Sequence, residues 1–197
     1  MSRAYHHGDV RGEAIAAARA LCEAQGQVAV TMRAVAKEVG VDHRAIYRHF
    51  ADRETLLAEV AALGFTDLLA MMNTEDGEAT LHRDFAASIR FALDHPHLYA
   101  LMLSRPRSLM LGGGALEAAV RGLLEHLMRS ANTALGDETP DDVCRDMVFA
   151  ALGSSYGLIT LAASMTLAPR SRDELEAFLI RQVSSVIDGQ ILQLRAC

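Results

Sequence analysis

Two guanidinium groups and a phenol crowd into one short segment, His43-Arg44-Ala45-Ile46-Tyr47-Arg48, and Arg33 lies ten residues before it. An arginine fork matches guanine O6/N7 or a phosphate, and Ala45 is small enough to meet a thymine methyl. Tyr47 can donate its hydroxyl to a phosphate oxygen, which fixes register without reading sequence. This is the chemistry of double-stranded DNA recognition. Catalytic chemistry is not indicated: Ser154 and Ser155 sit in no nucleophile elbow, and no His/Asp partner stands at an interpretable spacing. We therefore expect no enzymatic activity and no cofactor. His6 and His7 are adjacent on a polar arm and read as solvated rather than as metal ligands.

Those side chains need two short helices to present them. Thr31 is a good N-cap, after which Met32, Val35, Ala36 and Val39 recur at helical spacing. Gly40 stops that helix, and Asp42 can cap a second one over residues 43–50. Ile46 and Phe50, four apart, anchor it inward, which turns His43, Arg44, Ala45, Tyr47 and Arg48 toward solvent. Helix, tight turn and helix form the helix-turn-helix plan, whose second helix enters a major groove about 12 Å wide. Arg33, on the first turn of the leading helix, stands where a cation meets the phosphate backbone.

The rest of the chain is also helical in pattern, over about residues 10–25, 53–73, 79–94, 97–104, 115–135, 141–167 and 172–194. Strand alternation is absent, so the expected fold is all-α. A length of 197 residues suits one domain, or a small head on a larger body. Charge favours the second arrangement. The net charge is −6; residues 1–53 hold eight Lys+Arg against six Asp+Glu, and 54–197 hold eleven against nineteen. A basic head thus joins an acidic body. Three scattered cysteines (Cys22, Cys144, Cys197) argue against a disulfide framework and fit a reducing, cytoplasmic setting.

Residues 147–169 carry no charge and are long enough to cross a bilayer. Ser154, Ser155, Thr160, Ser164 and Thr166 interrupt the stretch, so it reads as a helix buried in a helical body, with no membrane partner. Two other classes fit the same layout. One is a membrane-anchored helical protein. The other is a helical small-molecule-binding protein whose helix-turn-helix is only scaffold.

The run TMRAVAKEVGVDHRAIYRHFADRETLL resembles the DNA-binding signature of the TetR (tetracycline-repressor) family of bacterial transcriptional regulators. Tyr47-Arg48-His49-Phe50, then Arg53 and Glu54-x-Leu56-Leu57, carry the likeness, and Tyr5 to Arg11 resemble the opening of one subgroup. The resemblance covers about residues 5–60. His95 to Met102 is similar to a recurring segment of the body. It implies a DNA-binding domain over 1–53 and a ligand-binding, dimerising domain over 54–197. It also implies that Thr31 caps, Arg33 meets the backbone or an adjacent base, and His43, Arg44 and Ala45 read bases. Tyr47 and His49 would face the backbone, and Arg53 would hold a phosphate. Asp42 and Arg44 depart from the Ser and the small residue usual there, so an operator sequence does not carry over.

For the body the resemblance implies a pocket for a small apolar or amphipathic effector. Phe91, Tyr99, Met102, Met147 and Tyr156 are its candidate lining, with His97, Arg121 and His126 as polar groups read chiefly as surface or capping residues. The chain has no Trp, and Tyr156-Gly157 stands where a His-Gly pair is common, so no particular ligand is inherited. A homodimer is expected through the last two long helices, with Ala150, Gly153, Ser154 and Gly157 allowing close approach beside Leu179, Val183 and Val186. Such a dimer implies a near-palindromic operator.

Overall fold

The caps read from the sequence set the first element boundaries. In a computed structural model, which describes residues 9–74, 80–136, 138–164 and 171–195, Asp9 opens α1 (Val10–Gln25) by accepting from the Gly12 N–H at 2.9 Å. A 3-10 turn, Gln27–Ala29, leads to α2 (Met32–Val39), capped by Thr31 Oγ1 on the Ala34 N–H at 3.1 Å. Gly40 ends α2 at φ 79°, a left-handed conformation that disfavours a side chain, and its N–H returns to Ala36 O. Asp42 caps α3 (His43–Tyr47) through the Arg44 N–H at 2.8 Å.

α3 is shorter than the expected 43–50. Its last turn tightens: Arg48 N–H bonds Ala45 O and His49 N–H bonds Ile46 O, an i to i+3 pattern. The tightening accompanies full burial of Phe50. The chain continues as α4 (Arg53–Thr74), α5 (Leu81–Asp94), α6 (Pro96–Leu103), α7 (Arg107–Met110), α8 (Ala115–Leu135), α9 (Asp141–Ala163) and α10 (Arg172–Arg195). Among the described residues there is no strand, and the fold is all-α.

Contacts divide the chain into two compact units. The first comprises the described residues of Met1–Thr66 with His95–Val120. In it α1 packs on α2, α3 and α6, burying Ala14, Ile15, Ala18 and Cys22 with Val35, Ile46, Phe50, Leu56 and Val60. α4 and α6 approach closely at Gly64, where a Cβ would lie 2.6 Å from Met102 Sδ.

The second unit comprises the described residues of Asp67–Asp94 and Arg121–Cys197. Its centre is α5, buried at nine of its fourteen positions and packed against α9 and α10. Arg172 pairs with Asp94 and Glu176, Arg90 with Glu176 at 3.1 Å, and His82 with Asp188 at 2.9 Å, which ties α10 to α5 at the surface. Leu179 and Val183, expected at a subunit interface, are instead buried in their own chain together with Ile187. They mark the inward face of α10, so they have no surface to offer a partner. Val186 beside them is half-buried.

Two helices, Arg53–Asn73 and Asp141–Ala163, are long and apolar enough to cross a membrane by length and composition. Half of the apolar window of the first is buried within the protein, against 22% of the second.

Candidate nucleic-acid interface

The helix-turn-helix presents the expected split of faces. Ile46 and Phe50 are buried, whereas His43, Arg44, Tyr47, Arg48 and His49 are exposed and Ala45 is half-buried. His43 and Tyr47, one turn apart, meet edge to face with ring centroids 6.4 Å apart, which restrains both rings. Thr31 and Arg33 are exposed at the start of α2. Among the described residues Arg33, Arg44 and Arg48 have no carboxylate partner, so three guanidiniums face solvent with their donors unspent. Arg11, by contrast, pairs with Glu59 at 2.7 Å and lies over the Phe50 ring, 5.6 Å from its centroid.

Arg53, expected to hold a phosphate, is bonded within its own unit. Its Nε donates to Val30 O at 2.6 Å, its Nη2 to Gln27 O, and its Nη1 to Glu54 Oε1 at 2.9 Å. Each nitrogen of this guanidinium makes a bond within the protein, which uses three of its five N–H donors. The group acts first on the connector ahead of Thr31.

Residues 14–60 match the family model of bacterial regulatory proteins, tetR family, and residues 81–185 match a tetracyclin repressor-like C-terminal domain. The chain belongs to the tetR family. Among curated proteins none matches it by sequence. Solved structures similar to this tetR-family chain include a protein of unknown function from Rhodococcus sp. RHA1, at 29% identity and TM-score 0.71, covering 95% of this chain and 98% of that one. A TetR transcriptional regulator from Streptomyces coelicolor superposes with TM-score 0.70 at 16% identity, covering 92% and 97%. A TetR variant from Acinetobacter baumannii, in complex with minocycline, gives 0.67 at 19%, covering 91% and 94%. The last two likenesses show a common fold.

The candidate effector residues of this tetR-family chain fall in both units. Tyr99 and Met102 are buried in the first unit, and Met102 packs against Gly64. Phe91 and Met147 are buried in the second unit, whereas Tyr156 is 51% exposed and does not join them. A cavity of about 490 Å³ in the second unit is lined by residues that include Leu135, Pro140, Val143 and Leu194, and by none of the candidate effector residues.

Two polar assemblies escaped the sequence reading. His126, expected at the surface, is buried: its Nε2 lies 3.0 Å from Asp84 Oδ1, and Ser130 Oγ donates to Asp84 Oδ2. His97 also has a structural task, its Nδ1 lying 3.0 Å from Glu23 O in the first unit. Arg105 is the second case, a buried guanidinium bonded to Glu54 and Gln27. Helical periodicity marks apolar faces only, so nothing in the sequence signalled either assembly. Among the described residues no set of three His, Cys, Asp or Glu side chains gathers as a metal site. His6 and His7 lie outside the described residues, as do Met165 and Thr166. Burial raises the thiol pKa of Cys22 and Cys144, leaving both weak nucleophiles.

Proposed function

We propose that this protein is a homodimeric transcriptional repressor that places α3 in the major groove of a near-palindromic operator and is released by a small apolar or amphipathic effector. The observation that carries the reading is the set of three arginines on a doubly capped α2–α3 pair, exposed and without a carboxylate partner among the described residues. Arg44 and His43 begin α3 and read base edges with Ala45, while Arg33, Tyr47, Arg48 and His49 meet phosphates. Because the chain is acidic overall, with net charge −6, affinity comes from these local contacts and falls with salt.

A second copy of the chain covers α9. Phe149, Tyr156 and Leu161 are 55%, 51% and 44% exposed, and a Cβ on Gly153 or Gly157 would meet nothing within 4 Å. The opposite face of α9 (Cys144, Met147, Val148, Ala151, Ser155) already packs within its own chain. A helix buried on one face, apolar and bare on the other, and lined by Ala150, Gly153, Ser154 and Gly157 suits a close helix-helix seam. Leu192 and Leu194 are exposed on α10. The two-fold dimer sets half-sites about 34–36 Å apart or a multiple of that. Effector and operator oppose each other reciprocally: the ligand favours a head separation that DNA disfavours, and each weakens the other by the same factor.

Selection of random duplex DNA by the purified protein at two salt concentrations, read by sequencing, tests the reading. An enriched palindrome, weaker at the higher salt, is expected. No enrichment at low salt from a soluble dimeric protein would overturn it.

A further inference from the structure

The first unit holds a closed ring of hydrogen bonds among four residues. Glu54 gives one carboxylate oxygen to each of two arginines: Oε1 to Arg53 Nη1 at 2.9 Å and Oε2 to Arg105 Nη1 at 2.7 Å. Arg105 Nη2 donates to the Gln27 side-chain oxygen at 2.6 Å, and Arg53 Nη2 donates to the Gln27 backbone carbonyl. The ring therefore runs Arg53, Glu54, Arg105, Gln27 and back to Arg53. Arg53 also holds Val30 O at 2.6 Å, one residue before the Thr31 cap of α2.

Arg105 is the member with least freedom. Its side chain is 4% exposed, and its Nε donates to Leu101 O at 3.2 Å, fixing it to the last turn of α6. Its Nη2 also reaches Ser104 Oγ at 3.2 Å. A buried guanidinium keeps its charge and needs its acceptors, so displacement of the end of α6 breaks the ring rather than stretching it. At the other end of α6, Cys22 Sγ lies 3.8 Å from His97 O, so the helix grips α1 as well.

We propose that Arg105 is a positioning residue for DNA recognition: through Glu54, Arg53 and Gln27 it fixes the connector 27–30, and hence the entry of α2 and the pose of α3. Arg53 serves in this ring as a strut. The DNA part of the inference rests on the operator reading above. The strut itself does not.

Two variants probe the ring gently. Arg105→Lys keeps the charge but lacks the planar fork, and Gln27→Ala removes one acceptor from a partly exposed site. Amide hydrogen exchange of the free, full-length protein is the direct readout. Both variants should speed exchange about tenfold over residues 29–35 while leaving α10 unchanged. Unchanged exchange at 29–35 in Gln27→Ala, a variant that leaves the core alone, would overturn the strut. Accelerated exchange everywhere in both variants would overturn it too, since Arg105 and Gln27 would then serve only global stability.

Operator titration against salt follows, using the duplex enriched by the wild type. Arg105→Lys should weaken binding about tenfold with the slope of affinity against salt unaltered, because no phosphate contact is lost. A lowered slope would make Arg105 a DNA ligand and refute the positioning role. If the wild type itself enriches no duplex, the operator reading fails, and the exchange result alone decides the strut.

Discussion

His126 Nε2 and Asp84 Oδ1 lie 3.0 Å apart in the interior of the second unit, with side chains 5% and 0% exposed. Ser130 occupies the other carboxylate oxygen. Leu81, Phe85 and Ile89 of α5, the helix that carries Asp84, are buried as well. Removing one partner leaves a polar group stranded, which costs more than replacing the whole set. His126→Leu should therefore lower stability by about 3–5 kcal/mol in urea unfolding. The combined Asp84→Leu, His126→Leu, Ser130→Ala variant should recover most of that loss. If the triple variant is as unstable as the sum of its parts, the cluster is not a self-contained unit.

How far such features were legible depends on their range along the chain. Thr31, Gly40, Asp42 and the Ile46/Phe50 pair act within a turn of themselves, and each stands where its residue type and spacing placed it. The early end of α3 was not legible, because the tight turn there goes with the burial of Phe50 in the packed unit. Leu179 and Val183 show the same limit. Periodicity identified an apolar face on α10 but not which neighbour buries it. Arg105 and Glu54 are 51 positions apart, and their bond exists only after α6 docks beside α4 and the connector. The bonds of Arg53 to Val30 O and Gln27 O were not legible either, since these acceptors are backbone carbonyls that any sequence supplies.

Asp52 gives α4 a pH dependence. Its Oδ1 accepts from the Thr55 N–H at 2.7 Å and from the Thr55 hydroxyl at 2.8 Å. The backbone bond first, and the hydroxyl second, hold its carboxyl below the ordinary aspartate value. A lowered folded-state pKa means the stabilisation is complete at neutral pH, above the unfolded value. It fades as pH falls through the ordinary carboxylate range toward the lowered one. Asp52→Ala should thus cost about 1 kcal/mol at pH 7, the usual loss of an N-cap. Thermal unfolding should show the gap between wild type and variant closing under acid. A gap that persists unchanged below the carboxylate range would assign it to something other than this cap.

The α9 seam separates association from folding. Phe149 and Leu161 are 55% and 44% exposed in the protomer, so Phe149→Glu with Leu161→Glu should leave helix content and the protomer's stability nearly unchanged. In the proposed dimer the same carboxylates would be desolvated against a second copy, and association should fail. Sedimentation velocity should then find a folded monomer where the wild type is a dimer. Leu179→Ala is the contrasting variant. It should destabilise the protomer by about 2–5 kcal/mol through a core cavity without creating any charge at the seam. A double glutamate variant that remains dimeric at micromolar concentration would move the interface off α9.

Arg33, Arg44 and Arg48 can be sorted by the way each fails. A phosphate contact contributes to every duplex alike and to counterion release, whereas a base contact contributes only where its base is present. Arg33→Ala and Arg48→Ala should weaken operator and unrelated DNA by similar factors, each lowering the slope of log affinity against log salt by about one per head. Arg44→Ala should weaken the operator more than unrelated DNA, relaxing preference at one position of each half-site by about 1–3 kcal/mol. Arg172→Ala supplies the control, because that guanidinium is engaged by Asp94 and Glu176 on the second unit. It should leave both the slope and the site preference as they are. If Arg44→Ala behaves like Arg33→Ala, with uniform loss and no change in preference, α3 lies across the backbone rather than in the groove, and the bases are read by other residues.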